Sequence, residues 1–126
     1  MQIFKTKWFA RWAAKEGLSD QALRDAVTEM GLGLIDANLG GHVVKKRVGV
    51  DGRGKSGGVR TLLAYKVKDK AFFLYGFAKN QRDNIDINEL KALKLMATHF
   101  LTYDKKALES AKATQELIEV IYGEAR

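Results

Sequence analysis

Between His42 and Arg82 the chain carries eleven basic residues: Lys45, Lys46, Arg47, Arg53, Lys55, Arg60, Lys66, Lys68, Lys70, Lys79 and Arg82. Only Asp51 and Asp69 oppose them, so this segment has a charge of +9. The whole 126-residue chain carries +7, which leaves −2 for everything else. A concentration of cations in one segment implies a partner dense in negative charge, and nucleic acid is the commonest such partner. A plain solvated basic face is the other reading. Inside the segment, Gly49 to Ser56 satisfy G-x-x-x-x-G-K-S, the phosphate-loop pattern. That pattern cradles phosphates only when a helix follows, because the amides at the helix N-terminus make the contacts. Here Gly57-Gly58-Val59-Arg60-Thr61-Leu62-Leu63 follow, two glycines and a β-rich run. Nucleotide binding is therefore not expected. Arg53 and Lys55 are read instead as phosphate-contacting residues of a glycine-rich loop.

Other chemistries lack their residues. Cysteine is absent, which removes disulfides, thiol nucleophiles and cysteine-based metal sites. Two histidines do not build a metal centre alone, and no metal or other cofactor is expected. His42 enters a strand beside two glycines, and either a functional or a structural role fits it. His99 sits in a helical run beside Met96 and Phe100 and reads as structural. The basic segment is too poor in carboxylates for paired-acid hydrolysis or a magnesium nuclease site. Asp83 and Asp86 precede a helix, where they favour its positive end. Tyr65 and Tyr75 are expected as core or edge aromatics, with base stacking as the alternative.

These residues need elements to position them. A weak strand is expected at Gln2–Phe4. Trp8, Phe9, Trp12 and Ala13 then recur at helical spacing, with Lys7, Arg11 and Lys15 outside. Gly17 ends that helix, and Ser19 caps a second, built on Leu23, Ala26, Val27 and Met30. Val43, Val44 and Val48 mark a strand bearing the three consecutive cations. Residues 49–58 contain five glycines and read as a flexible loop. Strands follow at 61–67 and 71–77, joined by a turn at 68–70, which implies antiparallel pairing. Leu90, Leu93, Ala97 and Phe100 form a helical stripe. Asp104 caps a last helix with Leu108, Ala111, Ile118 and Ile121 on one face. The expected order is β-α-α-β-β-β-α-α, an α+β fold with two N-terminal helices packed on a twisted antiparallel sheet and further helices at the C-terminus. Residues 1–103 form the core, and 104–126 a helical extension of the same single domain. Met1 to Trp12 hold no apolar run of signal-peptide length, and no stretch is long enough to span a membrane, so a cytoplasmic location is expected.

The basic strand Lys45-Lys46-Arg47, the run G-R-G-K-S-G-G-V-R ending at Arg60, and the run Y-G-F-A-K-N-Q-R-D-N-I from Tyr75 to Ile85 together resemble the RelE/ParE superfamily of bacterial toxins. The likeness is nearest to the RelE-like branch related to HigB and covers roughly residues 1–101. It implies a toxin that cuts messenger RNA in the ribosomal A site without metal. A cognate antitoxin, usually with a DNA-binding domain, neutralises such toxins. It further implies that Arg60 contacts the scissile phosphate and that Lys79 and Arg82 serve the site. Lys45 and Arg47 match positions that hold the RNA backbone, and Lys46 and Asn80, within the same matching runs, are expected to bind RNA with them. One departure is plain. A tyrosine usually follows the last basic pair, and Ile85-Asp86-Ile87 stand there instead, so the resemblance assigns no general base.

Physical chemistry agrees with that picture. Attack by the ribose 2′-hydroxyl puts extra charge on the phosphate, and arginine stabilises it through bidentate bonds that strengthen as the charge grows. Lys79, standing among these cations, is read as the group that moves a proton. Two rival readings remain open at this point: a ParE-like protein that inhibits DNA gyrase by binding, and a basic RNA-binding regulatory module without catalysis.

Overall fold

The computed structural model describes residues 1–50 and 54–121. Five residues, Gln2–Thr6, form β1, and two helices follow at once, α1 over Lys7–Glu16 and α2 over Asp20–Gly31. The caps explain the boundaries. The Thr6 hydroxyl accepts from the Phe9 amide at 3.1 Å, and the Ser19 hydroxyl from that of Ala22 at 3.1 Å. Gly17 stops α1 at φ +78°, where a Cβ would be strained. Strands β2 (Ala37–Gly40), β3 (Val43–Val50), β4 (Gly54–Lys66) and β5 (Lys70–Ala78) come next. Then follow α3 (Ile87–Leu101), α4 (Lys105–Ala113) and β6 (Leu117–Glu119). Asp86 and Glu89 form a reciprocal capping box at the start of α3, and Asp104 caps α4.

The strands make a six-stranded sheet in the order β2-β3-β4-β5-β1-β6. Pairing is antiparallel from β2 through β5 and between β1 and β6. The expected wholly antiparallel sheet is corrected at one place, because β1 lies parallel to β5, with Ile3 opposite Ala71 and Phe4 opposite Phe72. Parallel neighbours need a long crossover. Here α1, α2 and the β2–β4 meander supply it, so the hairpin logic of consecutive strands did not reach β1.

The C-terminus also departs from expectation. Ile118 and Ile121 do not continue the last helix. It closes at Thr114, Gln115 turns the chain at φ +63°, and β6 pairs with β1. The run Leu117-Ile118-Glu119-Val120-Ile121 is rich in β-branched residues and covers an edge that β1 would otherwise expose. Leu117 and Val120 are both almost fully buried, on opposite faces of the sheet. Of the glycine-rich stretch expected as a flexible loop, Val50 ends β3 and pairs with Gly54, where β4 begins, and residues 51–53 lie outside the described residues.

Two cores result. On one face α1 and α2 bury Phe9, Leu23, Val27 and Met30 against Ile3, Val44, Leu63 and Phe73. On the other, α3 and α4 bury Leu93, Phe100 and Leu108 against Phe4, Leu62, Phe72 and Phe77. Phe72 stacks between Phe4 at 5.2 Å and Phe100 at 5.5 Å. Each fully buried side chain of this size contributes about 1.5–3 kcal/mol.

Candidate nucleic-acid interface

Successive strand residues alternate between faces, and the register decides which cations meet. On β3, Val44 and Val48 belong to the α1–α2 core, so Lys46 between them points that way. Lys46 is buried and pairs with Glu29 of α2 at 2.7 Å. Lys45 and Arg47 point to the α3 face. There Lys45 lies opposite Leu62, and Arg47 lies opposite Arg60. Arg60 is in turn opposite Phe77, and Leu62 opposite Tyr75. The Lys-Lys-Arg run is thus split: Lys45 and Arg47 share a face with Arg60, while Lys46, expected to bind RNA, is buried and holds α2 on the sheet through Glu29. The buried Thr61 hydroxyl adds to that anchor by donating to the Lys46 carbonyl at 2.8 Å.

Two of the arginines on the α3 side are in contrasting states. Arg82 is fully engaged. Its Nε donates to the Asn84 carbonyl at 2.9 Å, and its Nη1 and Nη2 grip the Glu89 carboxylate at 3.0 and 2.5 Å. Nη1 also reaches the Tyr75 hydroxyl at 3.4 Å, and the guanidinium lies 5.6 Å from the Phe77 ring centroid. The pair holds the Glu89 carboxyl below its ordinary range, first through the Arg82 hydrogen bonds and then through the Asp86 amide. The same carboxylate holds the Arg82 guanidinium above its own. Arg60 is the opposite case. Its Nη1 is buried and has no hydrogen-bond partner. A cationic donor left so costs several times an ordinary hydrogen bond unless an anion meets it. Across the strand stands another cation, Arg47, and like charges directly opposite repel. Asp36 relieves Arg47 by accepting from its Nε at 3.2 Å and from its backbone amide.

Lys79 and Asn80 follow the end of β5 and are exposed, and Lys79 has no ion pair among the described residues. Arg53 and the Lys55 side chain lie outside the described residues. The phosphate-loop pattern runs into β4, which begins at its Gly54 and continues to Lys66, a strand where the motif's chemistry needs a helix. His42 occupies the β2–β3 turn at φ +66°, exposed, with its carbonyl accepting from the Tyr65 amide. Tyr65 is buried on the α1–α2 face, whereas Tyr75 is half-buried at the site. His99 meets the Tyr103 hydroxyl at 2.9 Å near the end of α3, away from these cations. No three His, Asp or Glu side chains among the described residues gather where a metal could be held.

Two features escaped the sequence reading. One is the Arg82–Glu89 clamp, whose trace was the spacing of Asp86 and Glu89, a capping-box pattern. The other is Trp8, read as a core residue of α1 but 46% exposed and stacked on Tyr75 at 4.6 Å. Helical spacing alone does not separate a core stripe from a stripe at the sheet's corner.

An arginine with an unpartnered donor on a central strand, the arginine that faces it, a lysine on the same face and an exposed lysine after the next strand's end concentrate positive charge on the α3 side of the sheet. The described residues include no helix long and apolar enough to cross a membrane. No curated protein matches the sequence. Residues 1–120 match the family described as the RelE toxin of the RelE / RelB toxin-antitoxin system. That match spans almost the whole chain, and the chain therefore belongs to the RelE toxin family.

Proposed function

We propose that this toxin is a ribosome-dependent endoribonuclease that cuts messenger RNA without metal and so stops translation in the cytoplasm. The observation that carries the reading is Arg60, whose buried Nη1 lacks any protein partner on the face where Lys45 and Arg47 also stand. In this reading the ribose 2′-oxygen attacks the adjacent phosphorus and the bond to the 5′-oxygen breaks. The products are a 2′,3′-cyclic phosphate and a 5′-hydroxyl. Arg60 gives bidentate bonds to the non-bridging oxygens as their charge grows. Lys79 shuttles the proton that leaves the 2′-hydroxyl and the one that the 5′-oxygen gains. Lys45, Arg47, Arg53, Lys55 and Asn80 hold the RNA backbone. Arg82 keeps the strand end and the start of α3 in place through Glu89, and Lys46 acts in the fold through Glu29. The ribosome supplies what the site lacks, a messenger held with the 2′-oxygen in line for attack. The cognate antitoxin of the family covers the cationic face in growing cells.

The test is an in vitro translation reaction with end-group analysis of the cut messenger. Cleavage that survives EDTA with ribosomes intact, gives cyclic-phosphate ends and falls about 10²- to 10³-fold in Arg60→Ala is expected. Products ending in 3′-hydroxyl, or a folded Arg60→Ala protein of full activity, would overturn the reading. A gyrase supercoiling reaction run alongside tests the ParE-like alternative, and no inhibition is expected.

A further inference from the structure

Trp8 is 46% exposed, and its indole offers a large, rigid ring surface at the edge of the cationic face. Its ring stacks on Tyr75 at 4.6 Å with 27° between the planes, and lies beside Trp12 at 6.1 Å with 13° between them. We propose that Trp8 and Tyr75 form a platform on which one base of the bound RNA stacks, next to the phosphate held at Arg60. This rests on the function proposed above and adds the element that grips a base rather than the backbone.

The fold fixes the platform. The pairing of β1 with β5 runs only as far as Lys5 opposite Phe73, while β5 continues to Ala78. Helix α1 starts at that step, and the hydroxyl of Thr6 both caps it and donates to the Leu74 carbonyl at 3.4 Å. Trp12 lies directly on Gly76, where a Cβ would come within 2.2 Å of its ring. Trp8 is thus held at the sheet's corner by a capped helix and a neighbour seated on glycine.

Position and charge select a nucleic acid. The Tyr75 hydroxyl is 3.4 Å from Arg82, which lies over Phe77, and Phe77 is opposite Arg60. Tyr75 and Arg60 are diagonal neighbours on one face, at a spacing of about 7–8 Å. Lys7, Arg11 and Lys15 are exposed on the helix that carries Trp8, Arg11 one turn from it, and Glu16 is that helix's one acid. An apolar peptide would gain little from such cations, whereas a base stacked on the rings brings its phosphates to them. Stacking accepts any base, so the platform adds affinity and registers the strand without reading its sequence.

The experiment uses the full chain and a short RNA with one 2′-deoxynucleotide, which blocks cleavage, and an abasic nucleotide moved stepwise along it. Binding is read by fluorescence anisotropy at low salt. One abasic position beside the deoxynucleotide should cost the wild type about tenfold or more in affinity. Trp8→Leu should lose a similar factor on intact RNA and be indifferent to that abasic position, while Trp8→Phe keeps most of the affinity. Equal binding of intact and abasic RNA by the wild type would overturn the platform, as would a folded Trp8→Leu protein that binds intact RNA normally. So would a Trp8→Leu protein whose only loss is in antitoxin capture. Arg60→Ala reports separately: it should weaken intact and abasic RNA alike. That result keeps the phosphate site whatever Trp8 does, and its failure beside a Trp8-dependent base effect would leave the platform without that site.

Discussion

Arg60 and Arg82 stand on the same side of the sheet with the same charge, and their surroundings give them different work. Every donor group of Arg82 meets a protein acceptor, and Nη1 of Arg60 meets none. Arg60→Lys keeps the charge but loses the planar fork. It should cost cleavage about 10- to 100-fold, the worth of one charged hydrogen bond, without lowering the fold's thermal midpoint, since the buried unpartnered donor is removed. Glu89 gives a pH prediction with a definite sign. Arg82 and the Asp86 amide hold its carboxyl below the ordinary value of 4.5, so its stabilising contribution is full above that value and is lost as pH falls through the depressed one. Amide protection in the first turn of α3 should fall on acidification over that window, and Glu89→Gln should show low protection without the pH dependence. The period of two in Val44-Lys45-Lys46-Arg47-Val48 already tells Lys46 from its neighbours, because two core valines share its side. Its role with Glu29 was therefore legible in outline. Charge clustering alone hid it by treating three consecutive cations as one patch.

At the scale of elements, the caps and stripes made α1, α2, α3 and the β3–β5 meander readable, since each is specified by residues close in sequence. Strands β1 and β6 are specified by partners distant in sequence, β5 and β6 for β1 and β1 for β6. Five residues and three residues have no secure identity until Phe4 lies opposite Glu119 and Lys5 opposite Ile118, and the helical spacing of Leu108, Ala111 and Ile118 then loses to that pairing. Leu117→Ala checks this closure. The side chain is 1% exposed in the α3–α4 core, and its loss should cost about 2–5 kcal/mol in urea unfolding. A change confined to a frayed terminal helix would cost far less. Gly76→Ala probes the seat of α1 on β5. A methyl group there would collide with Trp12, and the displacement should cost about 1–3 kcal/mol. Because Trp8 rides on the same helix, this variant should also lose the base-dependent part of RNA binding while keeping the phosphate-dependent part.

For the whole molecule the governing fact is that the sheet separates its cations by role. Lys45, Arg47, Arg60 and Lys79 lie on or beside one face, while Lys46 is internal and Arg82 is neutralised by its carboxylate. Counterion release measures that division. Each phosphate met by a cation adds roughly 0.7 to the slope of log affinity against log salt for single-stranded nucleic acid. With Arg53 and Lys55 of the proposed site, Lys45, Arg47, Arg60 and Lys79 make six cations, and six contacts predict a slope of about −4. Removing one open cation, as in Arg60→Gln or Lys79→Gln, should make the slope shallower by roughly 0.7 and leave it linear. Arg82→Gln should leave the slope nearly unchanged, because its charge already faces Glu89, and should act instead on the stability of the β5–α3 junction. Titrations of one uncleavable RNA across a salt series separate the two outcomes. Equal slope changes for Arg82 and Arg60 would mean that the clamp opens to let Arg82 reach a phosphate. The same titration with the antitoxin bound should show the slope collapse toward zero, since a partner that silences this face must itself neutralise those charges.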